Sequence, residues 1–425
     1  MLKNGASLPF AEGTTYKLLN NAAYVDQAGE FAWRASDGKL LYKAASSGFA
    51  SSGVEVPRLD TLIKLNGASN VTIDGLTFKN TTTGGDALLL TKSSGNHISD
   101  NSFLNVGTAI KLTAASSNND IAHNTLNHLA ESGIEMDGRS NGNSIYGNSI
   151  SNIGEVRKAV SGIIGTGVDN NLISNNDIDH SARYGISFKD YGGTTNTVNH
   201  NNIIQFNHIS HTGLETADGG AIEILGRSSV DTGMVIQGNW IEHANGLATS
   251  NQDTWLYGQK GFGIYLDDMA GGITVKDNFI KDADWASVQI HGGDNNVVTN
   301  NFSVIASNKE DFIRIEWQPV HGTAGDPHNN TITKNVVMGT LPLDDYIELL
   351  SANDFVIDNN LVYNVPKYGD HDVIGKPMFN NAYWGDYSLL PTSPAFAMGI
   401  HDLAWAKMGA DGVAAVGLEH FWDGV

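Results

Sequence analysis

Two adjacent carboxylates close a short apolar strand in the stretch Gly261–Gly272, GFGIYLDDMAGG, and set Asp267 and Asp268 beside a Gly-rich turn. A second acidic motif, TADGGAIE, places Asp218 before a Gly-Gly corner and Glu223 on the strand after it. Paired carboxylates suit cleavage of a glycosidic bond: one protonated group supplies a proton to the leaving oxygen, and one ionised group attacks or activates water. The bland alternative for an Asp-Asp pair at a turn is a cap or a calcium ligand. The strand frame itself recurs with other polar residues in the same slots, as GIEMDGRSN at Gly133, GISFKDYGG at Gly185, SVQIHGGDN at Ser287 and FIRIEWQPV at Phe312. Of the recurring frames, GIYLDD is the one with both slots after the strand acidic.

Side-chain alternation in a strand sends Ile264 and Leu266 inward and Tyr265 and Asp267 outward. The same phase places Lys189, Glu223, Gln289, His291, Arg314 and Glu316 on an exposed outer face, expected to line the substrate. With coils about 4.8 Å apart and about 3.3 Å per residue, Glu223 and Asp267 have Cα atoms roughly 8 Å apart, and Asp267 and Glu316, two coils apart, roughly 10 Å. Both a retaining and an inverting arrangement are open at these spacings. The long loops Asn245–Lys260 and Trp317–Asn329 carry Trp255 and Trp317, aromatics suited to stacking on a sugar ring.

The elements that position these residues are set by a repeat. An Asn recurs at one phase in Asn101, Asn124, Asn148, Asn176, Asn207, Asn239, Asn278, Asn301, Asn335 and Asn360, at intervals from 23 to 39 residues. A period in the twenties built of short strands, with Gly and Asn at corners and no helix between, indicates a parallel β-helix whose longer turns hold inserted loops. The Asn column is expected at left-handed corners, with its amides bonding from coil to coil. Residues 1–57 lack the repeat and are expected to form a small N-terminal β cap, with strands at Tyr16–Leu19, Glu30–Arg34 and Lys39–Lys43. The β-helix is expected over 58–365, and 366–425, with four of the nine prolines, as a C-terminal capping segment.

The 425 residues include 40% hydrophobic side chains and 48 Gly, which permits a large ordered core. A formal charge of −21 disfavours nucleic acid and anionic membrane as partners. No cysteine is present, so packing and hydrogen bonds must hold the fold. The sequence has no apolar run long enough for a membrane span, and the start MLKNGASLPF has no apolar core of a secretion signal.

The segments ADGGAIE, GFGIYLDDMAGGITVKDNFI and VQIHGGDNNVVTNNF, with VEVPRLDTLIKLNGASNVTIDGLTF and GDYSLLPTSPAF, resemble bacterial right-handed parallel β-helix proteins of the glycoside hydrolase family 141 type. The resemblance implies an all-β solenoid, a secreted or periplasmic setting, and a carbohydrate substrate; hydrolysis by side-chain carboxylates is expected to need no cofactor or metal. It also implies Asp218, with Asp267 or Asp268, as the catalytic carboxylates. Three functions stand in contention: a glycoside hydrolase on a neutral or mildly decorated glycan, a polysaccharide lyase or epimerase using Lys189, His291 or Arg314 on a uronate, and a non-catalytic carbohydrate-binding β-helix. The acidic band favours the first.

Overall fold

Each short alternating segment pairs with its equivalent one coil further on, because only that register aligns the apolar positions of every coil. In a computed structural model, which describes residues 21–48, 54–192, 197–249, 254–320, 322–351 and 354–413, the result is a parallel β-helix with three long sheets. Sheet I has 11 strands, from Ile63–Asn66 to Ile347–Leu349; sheet II has 11, from Thr72–Asp74 to Phe355–Asp358; sheet III has 12, from Thr77–Lys79 to Val373–Ile374. One coil gives one strand to each sheet, as Tyr184–Asp190, Ile203–Gln205 and His208–Thr212 do.

The inward phase is as the alternation requires. Ile222, Ile264, Val288 and Ile313 are in register across four coils and fully buried in the main core. Full burial of one such side chain contributes about 1.5–3 kcal/mol, and stacking like on like repeats the gain along the axis.

The Asn column is a continuous ladder. From Asn101 to Asn360 each side-chain amide donates to the Oδ1 of the next Asn at 2.9–3.1 Å. The expected left-handed backbone belongs instead to the residue before each ladder Asn, such as Asp100, His123, Asn175 and Phe206. That residue turns the chain, and the Asn that follows is buried and takes up the polar groups the turn leaves. A second ladder, Asn96, Asn119, Asn143, Asn171 and Asn202, runs at another corner with amide bonds of 2.8–3.1 Å.

Two units are distinct, Met1–Pro57 with Thr249–Leu256, and Arg58–Ala248 with Tyr257–Val425. In the first, Phe31–Arg34 pairs antiparallel with Lys39–Tyr42; the strand expected at residues 16–19 lies outside the described residues. In the second, residues between 366 and 413 pack along the outer flank of sheet III. Tyr387, Leu403 and Met408 pack there against Phe279, Phe302 and Val336, and Val413 reaches Ala122 and Tyr146.

Candidate active site

Sheet I carries the candidate site on two outward columns. One runs Ser187, Glu223, Tyr265, Gln289, Arg314, and the other Lys189, Leu225, Asp267, His291, Glu316. Gly219 and Gly220 explain the DGG motif. A Cβ on Gly219 would lie 3.2 Å from the Tyr184 ring and one on Gly220 would lie 3.0 Å from Tyr265 Cβ, so the glycines leave room for two phenols. Asp218, with φ +60° and its side chain about half exposed, precedes them. Arg183 fixes this corner by donating to the Asp218 carbonyl at 2.7 Å and packing its guanidinium 4.7 Å from the centre of the Tyr184 ring.

Asp267 ends the strand with a partly exposed carboxylate. Its Oδ1 accepts the backbone N–H of Asp268 at 2.8 Å and lies 2.9 Å from His291 Nδ1. The same ring nitrogen is 3.1 Å from Tyr265 Oη, and His291 Nε2 is 3.7 Å from Glu316. Asp267 and Glu316, expected two coils apart in one column, are thus linked through His291. Burial works to lower the His291 pKa, but the hydrogen bond and charge of Asp267, with Glu316 beyond, raise it above the ordinary value. Burial pushes the Tyr265 phenol far up, and the charges of Asp267 and Asp218 add to it. Both carboxylates therefore act on the same buried phenol.

Three cations of this face, Lys189, Arg227 and Arg314, end on carboxylates. Lys189 Nζ meets Glu223 at 2.5 Å and lies 4.0 Å from the centre of the Tyr184 ring. Ser187 also donates to Glu223, yet burial raises the Glu223 pKa more than Lys189 lowers it. Arg227 bonds Asp268, and Arg314 bonds Glu316 with Asp311 at 3.6 Å. Burial, only partly offset by Arg314, raises Asp311 to about 7.

The expectation of an exposed outer face is corrected at four positions. Lys189, Glu223, Tyr265 and Gln289 leave the strand outward but are buried, with Glu223 1% and Tyr265 3% exposed. Neighbouring columns cover them: Phe262, Ala286 and Trp285 pack on Tyr265, and Lys189 lies over Glu223. Gln289 Oε1 is buried without a hydrogen-bond partner. Asp268 turns away from Asp267 at φ +45° and is buried, with Arg227 on one oxygen and Gln318 donating to the other at 2.9 Å. Asp267, Asp268 and His291 each offer a donor atom within 4.8 Å of the others, a spacing that could hold a metal, although both Asp268 oxygens are already engaged. Trp317 follows Glu316 and is half exposed; Trp255 is also half exposed but belongs to the first unit, and residues 250–253 of its loop lie outside the described residues.

Sequence reasoning missed Tyr184, Arg227 and Gln318. Tyr184 had a signal, since it stands two residues before inward Ile186 just as Phe262 stands before Ile264. Arg227 and Gln318 had none, because their partner Asp268 is reached from turns.

Residues 58–160 match the family model described as a right handed beta helix region. No curated protein matches. Among solved structures, the chain is similar to a glycoside hydrolase at 13% identity and TM-score 0.49, covering 81% of this chain. It spans 57% of that hydrolase's length. It is also similar to the A-module of a mannuronan C-5 epimerase from Azotobacter vinelandii, with 13% identity, TM-score 0.42, and 73% and 92% of the two chains covered. An alginate lyase from Paenibacillus sp. gives 16%, 0.39, and 71% and 98%. Likenesses at this level assign no reaction to the chain.

Proposed function

We propose that this protein is a glycoside hydrolase acting on a neutral or mildly decorated glycan. The observation that carries the reading is the state of the charges on sheet I. Asp267 presents a partly exposed carboxylate held by an imidazole and a backbone N–H, while Lys189, Arg227 and Arg314 are each taken up by a carboxylate. A lyase or epimerase needs a cation free to neutralise the substrate's own carboxylate, and the candidates considered for lyase or epimerase chemistry, Lys189, His291 and Arg314, each lie against a carboxylate of the protein. A neutral sugar needs none.

In this reading Asp267 attacks the anomeric carbon, or takes a proton from the water that attacks it. Asp218 gives a proton to the departing glycosidic oxygen as the C–O bond breaks. His291 holds Asp267 in place through the contact between its Nδ1 and Asp267 Oδ1. Glu223 and Asp268 act as positioning residues, the first fixing Lys189 and the second fixing Arg227 and the turn. Trp317 offers a flat face to a sugar ring.

A second reading has one observation in its favour. Tyr265 Oη and His291 Nδ1, 3.1 Å apart, form a pair able to pass a proton, as uronate elimination or epimerisation requires. The two readings separate on one set of variants, assayed on a panel of aryl glycosides and polysaccharides. Asp267→Asn and Asp218→Asn should each lower kcat by about 10²–10⁴-fold with little change in melting temperature. If both retain near-normal turnover while Tyr265→Phe abolishes it, the hydrolase assignment fails and the proton-shuttle reading replaces it.

A further inference from the structure

Sheet III carries a second cluster of chemically capable side chains, away from the sheet that holds Asp267. In successive coils the residue at the bend of this sheet adopts left-handed backbone: Asn105, His128, Asn152, His180, His211 and His243, with φ between +48° and +55°. Asn and His both tolerate that conformation, so the corner alone does not select His. Yet three consecutive coils carry His, and the rings stack, with centroids 4.9 Å apart for His180 and His211 and 4.8 Å for His211 and His243.

The column beside them changes in the same coils. Where earlier coils place Asn127 and Ser151, the His180 coil places Asp179. Its Oδ1 lies 2.8 Å from His211 Nδ1 and accepts from Ser210 Oγ at 2.7 Å, while its Oδ2 meets His180 Nδ1. Asp179, His180 and His211 each offer a donor atom, all within 4.8 Å of one another, and all three side chains are about half exposed, open to an ion from solvent.

We propose that Asp179, His180 and His211 bind a divalent transition-metal ion of the zinc class. Two imidazoles and one carboxylate form a mixed nitrogen and oxygen set that suits zinc, whereas calcium and magnesium take oxygen ligands. Tetrahedral zinc with bonds of about 2.0–2.1 Å holds ligand atoms roughly 3.4 Å apart, so the cluster closes on an ion with small side-chain rotations. Because the ligands come from two adjacent coils, the ion clips those coils together and stabilises the folded state by mass action.

The test is isothermal titration of the full chain with Zn²⁺ alone, alongside its melting temperature. His180→Asn, His211→Asn and the double variant are suitable because Asn already occupies this bend at Asn105 and Asn152. The wild type should take up Zn²⁺ saturably, with a rise in melting temperature that Ca²⁺ does not reproduce. Each single variant should lose at least tenfold in affinity, the double variant should lose the site, and His291→Gln should keep it. Absence of saturable uptake by the wild type would overturn the proposal, as would uptake unchanged in either single variant. Uptake lost in His291→Gln but kept in the double variant would overturn it too, and would place the ion at Asp267.

Discussion

Asp267 and Asp268 are the same residue at consecutive positions, and the backbone gives them different work. Asp267 ends a strand and keeps the outward phase; Asp268 enters left-handed backbone at +45° and swings onto Arg227 and Gln318. Asp268→Asn removes a charge from beside a half-buried guanidinium, so it should lower the melting temperature more than it lowers kcat, the reverse of Asp267→Asn. The pair and its turn were legible in the sequence. The division of labour was not, because it depends on an Arg and a Gln that approach from turns on other coils. Glu310 is a residue the sequence did not mark at all. Burial raises its pKa to about 8, although the backbone N–H groups of Ala283 and Ala306 both donate to it. The folded state then binds a proton that the unfolded state releases near its ordinary value, so stability should fall as pH rises from about 4.5 to about 8. Glu310→Gln, which mimics the protonated form, should flatten that fall in urea titrations across the range; an unchanged slope would assign it to other groups.

At the scale of the element, the column is the unit of design. Period-two alternation was enough to place Ile264 and Leu266 inside, since a one-residue slip would expose every apolar position. It could not show which outward positions are covered, because cover comes from the neighbouring columns, as Phe262 and Trp285 cover Tyr265. The Asn ladder was legible as a register, while its bonding geometry, with the left-handed turn one residue earlier, was not. Asn207 tests its energetic role. Its Oδ1 accepts from the backbone and amide of Asn176, both at 2.9 Å, and its amide donates to Ile173 O and Asn239 Oδ1. Asn207→Ala leaves several buried groups unpaired at a cost of about 1–3 kcal/mol each, so the urea midpoint should drop well beyond what a surface substitution gives. A midpoint within error of the wild type would mean that the ladder is an ornament of the turn and not a support.

Across the whole molecule, one long column explains where the C-terminal segment lies. The outward position of sheet III reads Thr125, Ser149, Asp177 and His208 in early coils, then Trp240, Phe279, Phe302, Val336 and Leu361. The switch from polar to apolar marks the flank that Tyr387, Leu403 and Met408 cover. That switch stood in the sequence, but its partner is too far along the chain for periodicity to name. In the proposed function Trp317, half exposed and next to Glu316 in the chain, contacts the sugar without taking part in the chemistry, so Trp317→Ala should raise KM more than it lowers kcat. The proposed function rests on the net charge of −21 and on the pairing of Lys189, Arg227 and Arg314 with carboxylates, which favour a neutral glycan over an anionic polymer. The most direct test is therefore to incubate the protein with neutral and uronate-containing polysaccharides and follow reducing ends and the ultraviolet absorbance of unsaturated sugars together. The account predicts reducing ends from a neutral glycan, with no rise in absorbance, lost in Asp267→Asn. Reducing ends accompanied by rising absorbance on a uronate polymer, undiminished in Asp267→Asn, would contradict it.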